Sequence, residues 1–225
     1  MLRSIVSLPL QRNLFFDQFR GISLILMMIF HFAYDVDSHP TLQPFMENST
    51  FWYYFPRVIA FLFFSLSGYL RGIIGPSSPK RLTPLFLSCL LVSISTYFIY
   101  PQHWIYFGTL HCLLFSQLLV QIPRICIPLF SLLYFSSFYW GPIIISSWDQ
   151  SLDHLAIIPW GLFFLIFFFL GKFTKFWPIF HLKGIWGTFF SMLGRNSLKI
   201  YLLHRPIQVF LLELFLKMGL LHTLN

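Results

Sequence analysis

Four ionisable residues in and just beyond one apolar stretch define the chemistry open to this chain. Asp17, Arg20, His31 and Asp35 stand in or beside Phe15–Tyr34, and at about 100° per residue they fall within roughly 60° of one another on a helix. Arg20 and His31 would then be offset by about 16 Å along the axis, and Asp17 and Asp35 by about 27 Å, close to the roughly 30 Å hydrocarbon thickness of a bilayer. A polar stripe of that depth is costly in lipid, so it is expected to line a cavity or a protein interface. A carboxylate one turn after an imidazole can hold it in one tautomer and raise its basicity, as general-base catalysis requires, so Asp35 is expected to orient His31. Arg20 reads either as a headgroup anchor or as a ligand for an anion.

Other candidates follow along the chain. Arg57 lies early in a second apolar stretch; it stabilises an oxyanion or holds an anionic acceptor, or else it pairs with Asp35 or Asp37. His111 follows Phe107-Gly108-Thr109-Leu110, about 10 Å into its own stretch. Asp153-His154 precedes Pro159-Trp160, and Gly194-Arg195-Asn196-Ser197 opens the last stretch, where Asn or Ser can cap a helix. Ser197 and His204 share a face there, with Tyr201 and Gln208 flanking. Each histidine alone reads as a satisfied interior residue. Together, His31, His111, His154 and His204 stand out in a chain with few other polar groups.

These residues sit in a chain built for a membrane. Of 225 residues, 57% are hydrophobic and 10% charged, with mean hydropathy +0.73; soluble domains carry about 25% charged residues. Seven spans are expected, Phe15–Tyr34, Phe51–Ile74, Leu82–Ile99, Trp104–Ile122, Ile125–Ile145, Leu155–Leu170 and Ser197–Leu220, in one domain over residues 1–225. The fifth should kink at Gly141-Pro142, and Phe176–Leu193 reads as an interfacial helix. With 30 Phe and only Ala33, Ala60 and Ala156 as alanines, close helix approach must use Gly and Ser while Phe fills the gaps. Ser65, Ser67 and Gly68 are such a packing surface. A cytoplasmic N-terminus puts eleven of the fifteen basic residues on the inner side and the C-terminus outside. The net charge of +8 is then topogenic, with no nucleic-acid partner implied, and no cleavable signal peptide is expected. Cys89, Cys112 and Cys126 have neither metal-ligand spacing nor loop pairing, so no metal is expected.

Taken in order, the segments resemble small bacterial membrane proteins of the heparan-alpha-glucosaminide N-acetyltransferase catalytic-domain family. The matching pieces are Asp17-x-x-Arg20-Gly21 with His31-x-x-x-Asp35; Arg57 leading to Phe63-Phe64-Ser65-Leu66-Ser67-Gly68; Phe107-Gly108-x-Leu110-His111; Ile158-Pro159-Trp160 through Gly171-Lys172; and Leu193-Gly194-Arg195-Asn196-Ser197 through His204-x-Pro206. The resemblance implies an all-α enzyme of a bacterial inner membrane. It would move an acetyl group from cytoplasmic acetyl-CoA to a sugar amine or hydroxyl outside. It implies that His31, with Asp35, takes the acyl group or deprotonates the acceptor, and that Arg57 and His111 complete the pocket. Donor contacts would come from Asp17, Arg20, Arg71, Asn196, Ser197 and His204, with Lys80 and Arg81 on the same basic surface. In eukaryotic relatives the acylated histidine belongs to the first outer loop, which makes His39 the alternative to His31. Two other function classes fit the same polar stripe, a small transporter or flippase and a non-catalytic assembly protein. The absence of paired broken helices in the two halves weighs against a transporter.

Overall fold

The computed structural model describes residues 13–47, 49–122, 153, 155, 157–176, 178 and 180–218. Among these residues there are seven helices and no strand: α1 (Leu14–Asp37), α2 (Thr50–Ile74), α3 (Pro79–Ile99), α4 (Thr109–Leu119), α5 (Ile157–Thr174), α6 (Gly184–Arg195) and α7 (Ser197–Lys217). By length and composition α1, α2, α3 and α5 can cross a membrane, and they coincide with four of the expected spans. The expected span Trp104–Ile122 is corrected to an 11-residue helix, about 17 Å long and too short for the hydrocarbon core. Gly108 is extended and begins α4 late, while Phe107 gives its carbonyl to Leu155 N–H. Helix α7 is long enough, but it carries Lys199, Arg205, Glu213 and Lys217 and is not one of the four apolar helices. The expected span Ile125–Ile145, with Cys126, and His154 lie outside the described residues.

Two close helix pairs frame the site. Helix α2 packs most extensively on α5, and a Cβ at Gly68 would overlap the Phe164 carbonyl. Phe64, Phe164 and Phe168 fill the core beside this contact, while Phe61 meets Phe163 and Phe167 edge-on at 5.0 and 5.7 Å. Small residues thus let the backbones touch and aromatic rings fill what is left, as the composition predicts.

The second pair, α1 on α6, is made by residues of the opening motif. The α1 N-cap Asn13 accepts from Phe15 N–H and donates to the Pro178 carbonyl. Gln18 holds the chain ahead of α6, donating to the carbonyls of Leu182 and Gly187 while accepting from Leu182 N–H. Gly194 lies against the Asp17 backbone, where a Cβ would overlap the carbonyl. Asp17 itself is buried and pairs with Arg195 at 3.5 Å and Arg20 at 3.8 Å. An acid in the first turn of α1 and a base in the last turn of α6 also suit both helix dipoles. Much of Asp17-Gln18-Phe19-Arg20-Gly21 is therefore a clamp on α6.

Candidate functional site

A cavity of about 430 Å³ lies between α1, α2, α3, α4 and α7, with Asp153 and Leu155 closing one side. Its α2 wall runs from Pro56 to Arg71, about 22 Å of helix. One end is cationic, with Arg20, Arg71 and Arg81 beside Ser77, Gln117 and Ser197. The other end presents His31, Thr109, Tyr201 and Asp153, and the waist between is apolar, with Met27, Ile59, Phe63 and Leu113 among its lining.

At the cationic end, buried Ser77 is the hub of a polar network. Its hydroxyl accepts from Arg71 at 3.2 Å and donates to Gln117 at 2.6 Å, while its carbonyl accepts from Gln121 at 2.7 Å. That contact uses one of the five N–H donors of the Arg71 guanidinium. It fixes the group's direction without consuming its capacity for an anion.

At the other end His31 opens on the cavity. Its ring packs 5.6 Å from Phe30 and 5.1 Å from His204. A carbonyl can only accept, so the 2.6 Å contact of His204 Nδ1 with the Tyr201 carbonyl makes Nδ1 the donor. In the neutral ring Nε2 then keeps its lone pair, and this buried atom has no hydrogen-bond partner among the described residues. Asp153 receives Thr109 N–H and the Tyr201 hydroxyl on Oδ2, at 3.1 and 3.2 Å, and the Thr109 hydroxyl on Oδ1 at 3.1 Å. These bonds tie the residue 153 segment to the start of α4 and to α7.

Of the ten residues given a catalytic or donor-contact role by the resemblance, Arg20, His31, Arg71 and Ser197 line the cavity. The others are elsewhere, each for a physical reason. Asp35 does not hold His31; both its oxygens accept from Arg205 at 2.7 Å. Arg57 neither pairs with Asp35 or Asp37 nor enters the cavity. Its guanidinium lies 3.6 Å above the Tyr53 ring and donates to the Tyr53 carbonyl. His111 is a cap: Nδ1 accepts from Gly108 N–H at 3.2 Å, and Nε2 meets Ser93 Oγ at 3.0 Å. Ser93 spends its one hydroxyl proton on the Ile105 carbonyl, so Nε2–H of His111 is the donor and neither ring nitrogen is left for a base.

Asp17 belongs to the α6 clamp, and Asn196 donates to the Met192 carbonyl at the α6–α7 junction. His204 stands beside His31 rather than with the arginines. The loop alternative, His39, bonds Thr41 at 2.8 Å and approaches Glu213 at 3.7 Å. Sequence reasoning missed Asp153, Thr109 and Tyr201 as one group, and Arg205 as the partner of Asp35. The signal for Arg205 was a cation within an apolar stretch, one helical residue past His204.

Among the described residues no cluster of three or more His, Cys, Asp or Glu side chains could hold a metal ion. No curated protein and no solved structure matches the chain. The profile of the family described as heparan-alpha-glucosaminide N-acetyltransferase, catalytic, matches residues 12–206. With arginines and an imidazole facing one cavity among membrane-length helices, the chain belongs to that family of membrane acetyltransferases.

Proposed function

We propose that the protein moves an acetyl group from acetyl-CoA, bound at the arginine end of the cavity, to an amine or hydroxyl of a sugar at the His31 end. The observation that carries this reading is the single cavity that joins Arg20, Arg71 and Arg81 to His31. Its chemistry suits the donor along its length. Guanidinium groups take phosphates, the apolar waist takes a slender pantetheine arm, and the thioester reaches the imidazole. The loop-charge bias supports a cytoplasmic arginine end and an outward His31 end.

His31 acts as the general base in this reading. Its free nitrogen lone pair takes the proton of the attacking N–H or O–H as the new bond to the thioester carbonyl carbon forms. The C–S bond then breaks, and the imidazolium returns that proton to the departing thiolate. His204 packs on His31 and fixes the plane in which that ring sits, with its own acceptor nitrogen unpartnered among the described residues. The Asp153 carboxylate, held by Thr109 and Tyr201, supplies a fixed negative charge at the same end.

The test uses purified protein in detergent with labelled acetyl-CoA and an amino sugar. Label on the sugar with stoichiometric release of coenzyme A is the expected result. Solute flux in liposomes without any acyl donor, together with no transfer, would replace this reading with a transporter.

A further inference from the structure

On the face of α2 opposite the cavity, a groove of about 660 Å³ is walled by three helices of membrane length, α1, α2 and α5. That volume is within the roughly 300–1,000 Å³ of small-molecule sites. Phe16 and Phe19 of α1, Leu62 and Leu66 of α2, and Phe167 and Leu170 of α5 form its walls. Phe176, Pro178 and Phe180 lie across one end as a strap. Two hydrogen bonds pin it: the Tyr69 hydroxyl donates to the Phe176 carbonyl at 2.9 Å, and Asn13 donates to the Pro178 carbonyl at 2.6 Å. Lys175, left-handed at φ 47°, turns the chain out of α5 and into the strap. Among the lining residues only Ser65 and Tyr69 carry polar side-chain atoms, and the Tyr69 hydroxyl is already bonded to the strap.

We propose that this groove holds an acyl chain of one anionic phospholipid, with the lipid phosphate at the lysines beside the strap. The site is independent of acetyl transfer. Walls of phenylalanine and leucine take hydrocarbon, but a lipid chain gains little by leaving a bilayer interior that is as apolar as they are. Apolar contact alone would therefore select no particular lipid. Charge does. Lys175 stands between Thr174 and Phe176, the two residues that the Tyr69 hydroxyl touches, so its side chain starts at the end of the groove. Lys172 lies one turn back on α5, Lys183 follows the strap, and all three lysines are exposed. No Asp or Glu occurs between Asp153 and Glu213. Asp17, in the α1 turn beside the groove, is shared between Arg195 and Arg20. A basic patch with no carboxylate in its own segment, at the end of a slot between membrane-length helices, suits a lipid phosphate. The bound chain would fill the space between α1, α2 and α5 and so brace their packing.

The experiment is native mass spectrometry of the full chain released from neutral detergent, after incubation with equal amounts of phosphatidylglycerol and phosphatidylcholine carrying identical chains. The wild-type protein should retain one phosphatidylglycerol and should unfold at a higher temperature with that lipid than with phosphatidylcholine. The double variant Lys172→Gln, Lys175→Gln should reduce the preference for the anionic lipid by about tenfold. Leu62→Trp places an indole in the groove and should abolish retention of the lipid, with the unfolding temperature in lipid-free detergent unchanged. Leu170→Trp, at a position 44% exposed and so freer of packing strain, should act in the same direction. Equal retention of the two lipids, or a lysine variant that keeps the wild-type preference, would overturn the proposal. A headgroup preference that survives both tryptophans would also overturn it, leaving the lysines as charges that only orient the chain in the bilayer. Displacement of the phospholipid by an equal amount of free fatty acid, or a dimer broken by either tryptophan, would give the groove to a different occupant and overturn it as well.

Discussion

The two ends of the cavity hold similar residue types and treat charge in opposite ways. At one end Arg20, Arg71 and Arg81 face the space, and the nearby buried carboxylate, Asp17, is shared between Arg195 of the α6 clamp at 3.5 Å and Arg20 at 3.8 Å. At the other end the arginine, Arg205, is held by Asp35, and what faces the space is an imidazole and the hydrogen-bonded Asp153 carboxylate. A mouth with three arginines and one shared carboxylate stays net cationic and is suited to binding an anion. An end whose ionic groups are neutralised or fixed by hydrogen bonds is suited to moving a proton. Which carboxylate pairs with which arginine decides this division.

The proton-moving end depends first on its imidazole. His31→Ala should lower kcat for acetyl transfer by about a hundredfold to ten-thousandfold, the usual worth of a positioned general base, with the donor affinity and the unfolding temperature retained. A variant that turns over like the wild type would reduce the His31 end to packing.

A smaller effect is expected at the cationic end. Arg71→Gln removes a guanidinium directed into the cavity by Ser77, and losing one charge-assisted contact should raise the donor KM by about tenfold to a hundredfold with kcat little changed. The wild-type donor affinity should also fall with added salt, and fall less steeply in the variant. A change in kcat without a change in KM would place Arg71 outside donor binding.

The sequence made the membrane class, four of the long helices and the α1 stripe from Arg20 to His31 legible, because hydropathy and helical periodicity are local properties. The use of Gly68 for close helix packing was also readable, since Ser and Gly are the small residues left when alanine is so scarce, but its partner α5 was not. Pairings across helices were not. Sequence spacing put Asp35 one turn from His31, yet the axial proximity of α7 brought Arg205 closer in both distance and charge. His111 has the right type and depth for a base, but a Gly108 N–H at the start of α4 and Ser93 on α3 take its two nitrogens. Asp153 reads as an outer-loop acid until Thr109 and Tyr201 are seen to converge on it. In each case the deciding partner comes from another segment of the chain.

The smallest predicted effect tests that lesson directly. Asp35→Asn should leave kcat within about twofold of the wild type, because the carboxylate serves Arg205 and not His31, and should cost about 1–2 kcal/mol of stability. The full loss expected for a buried ion pair, about 3–5 kcal/mol, is reduced here because the Arg205 side chain is 39% exposed, and exposed partners are screened by water. Arg205→Gln should show the same modest loss of stability. The double variant should lose less than the two single losses added, since the second change removes a partner already unpaired. Thermal unfolding of the three variants, with kcat measured on each, checks this. A fall in kcat of a hundredfold in Asp35→Asn alone would restore Asp35 as the group that orients His31 and would erase the distinction drawn between the two ends.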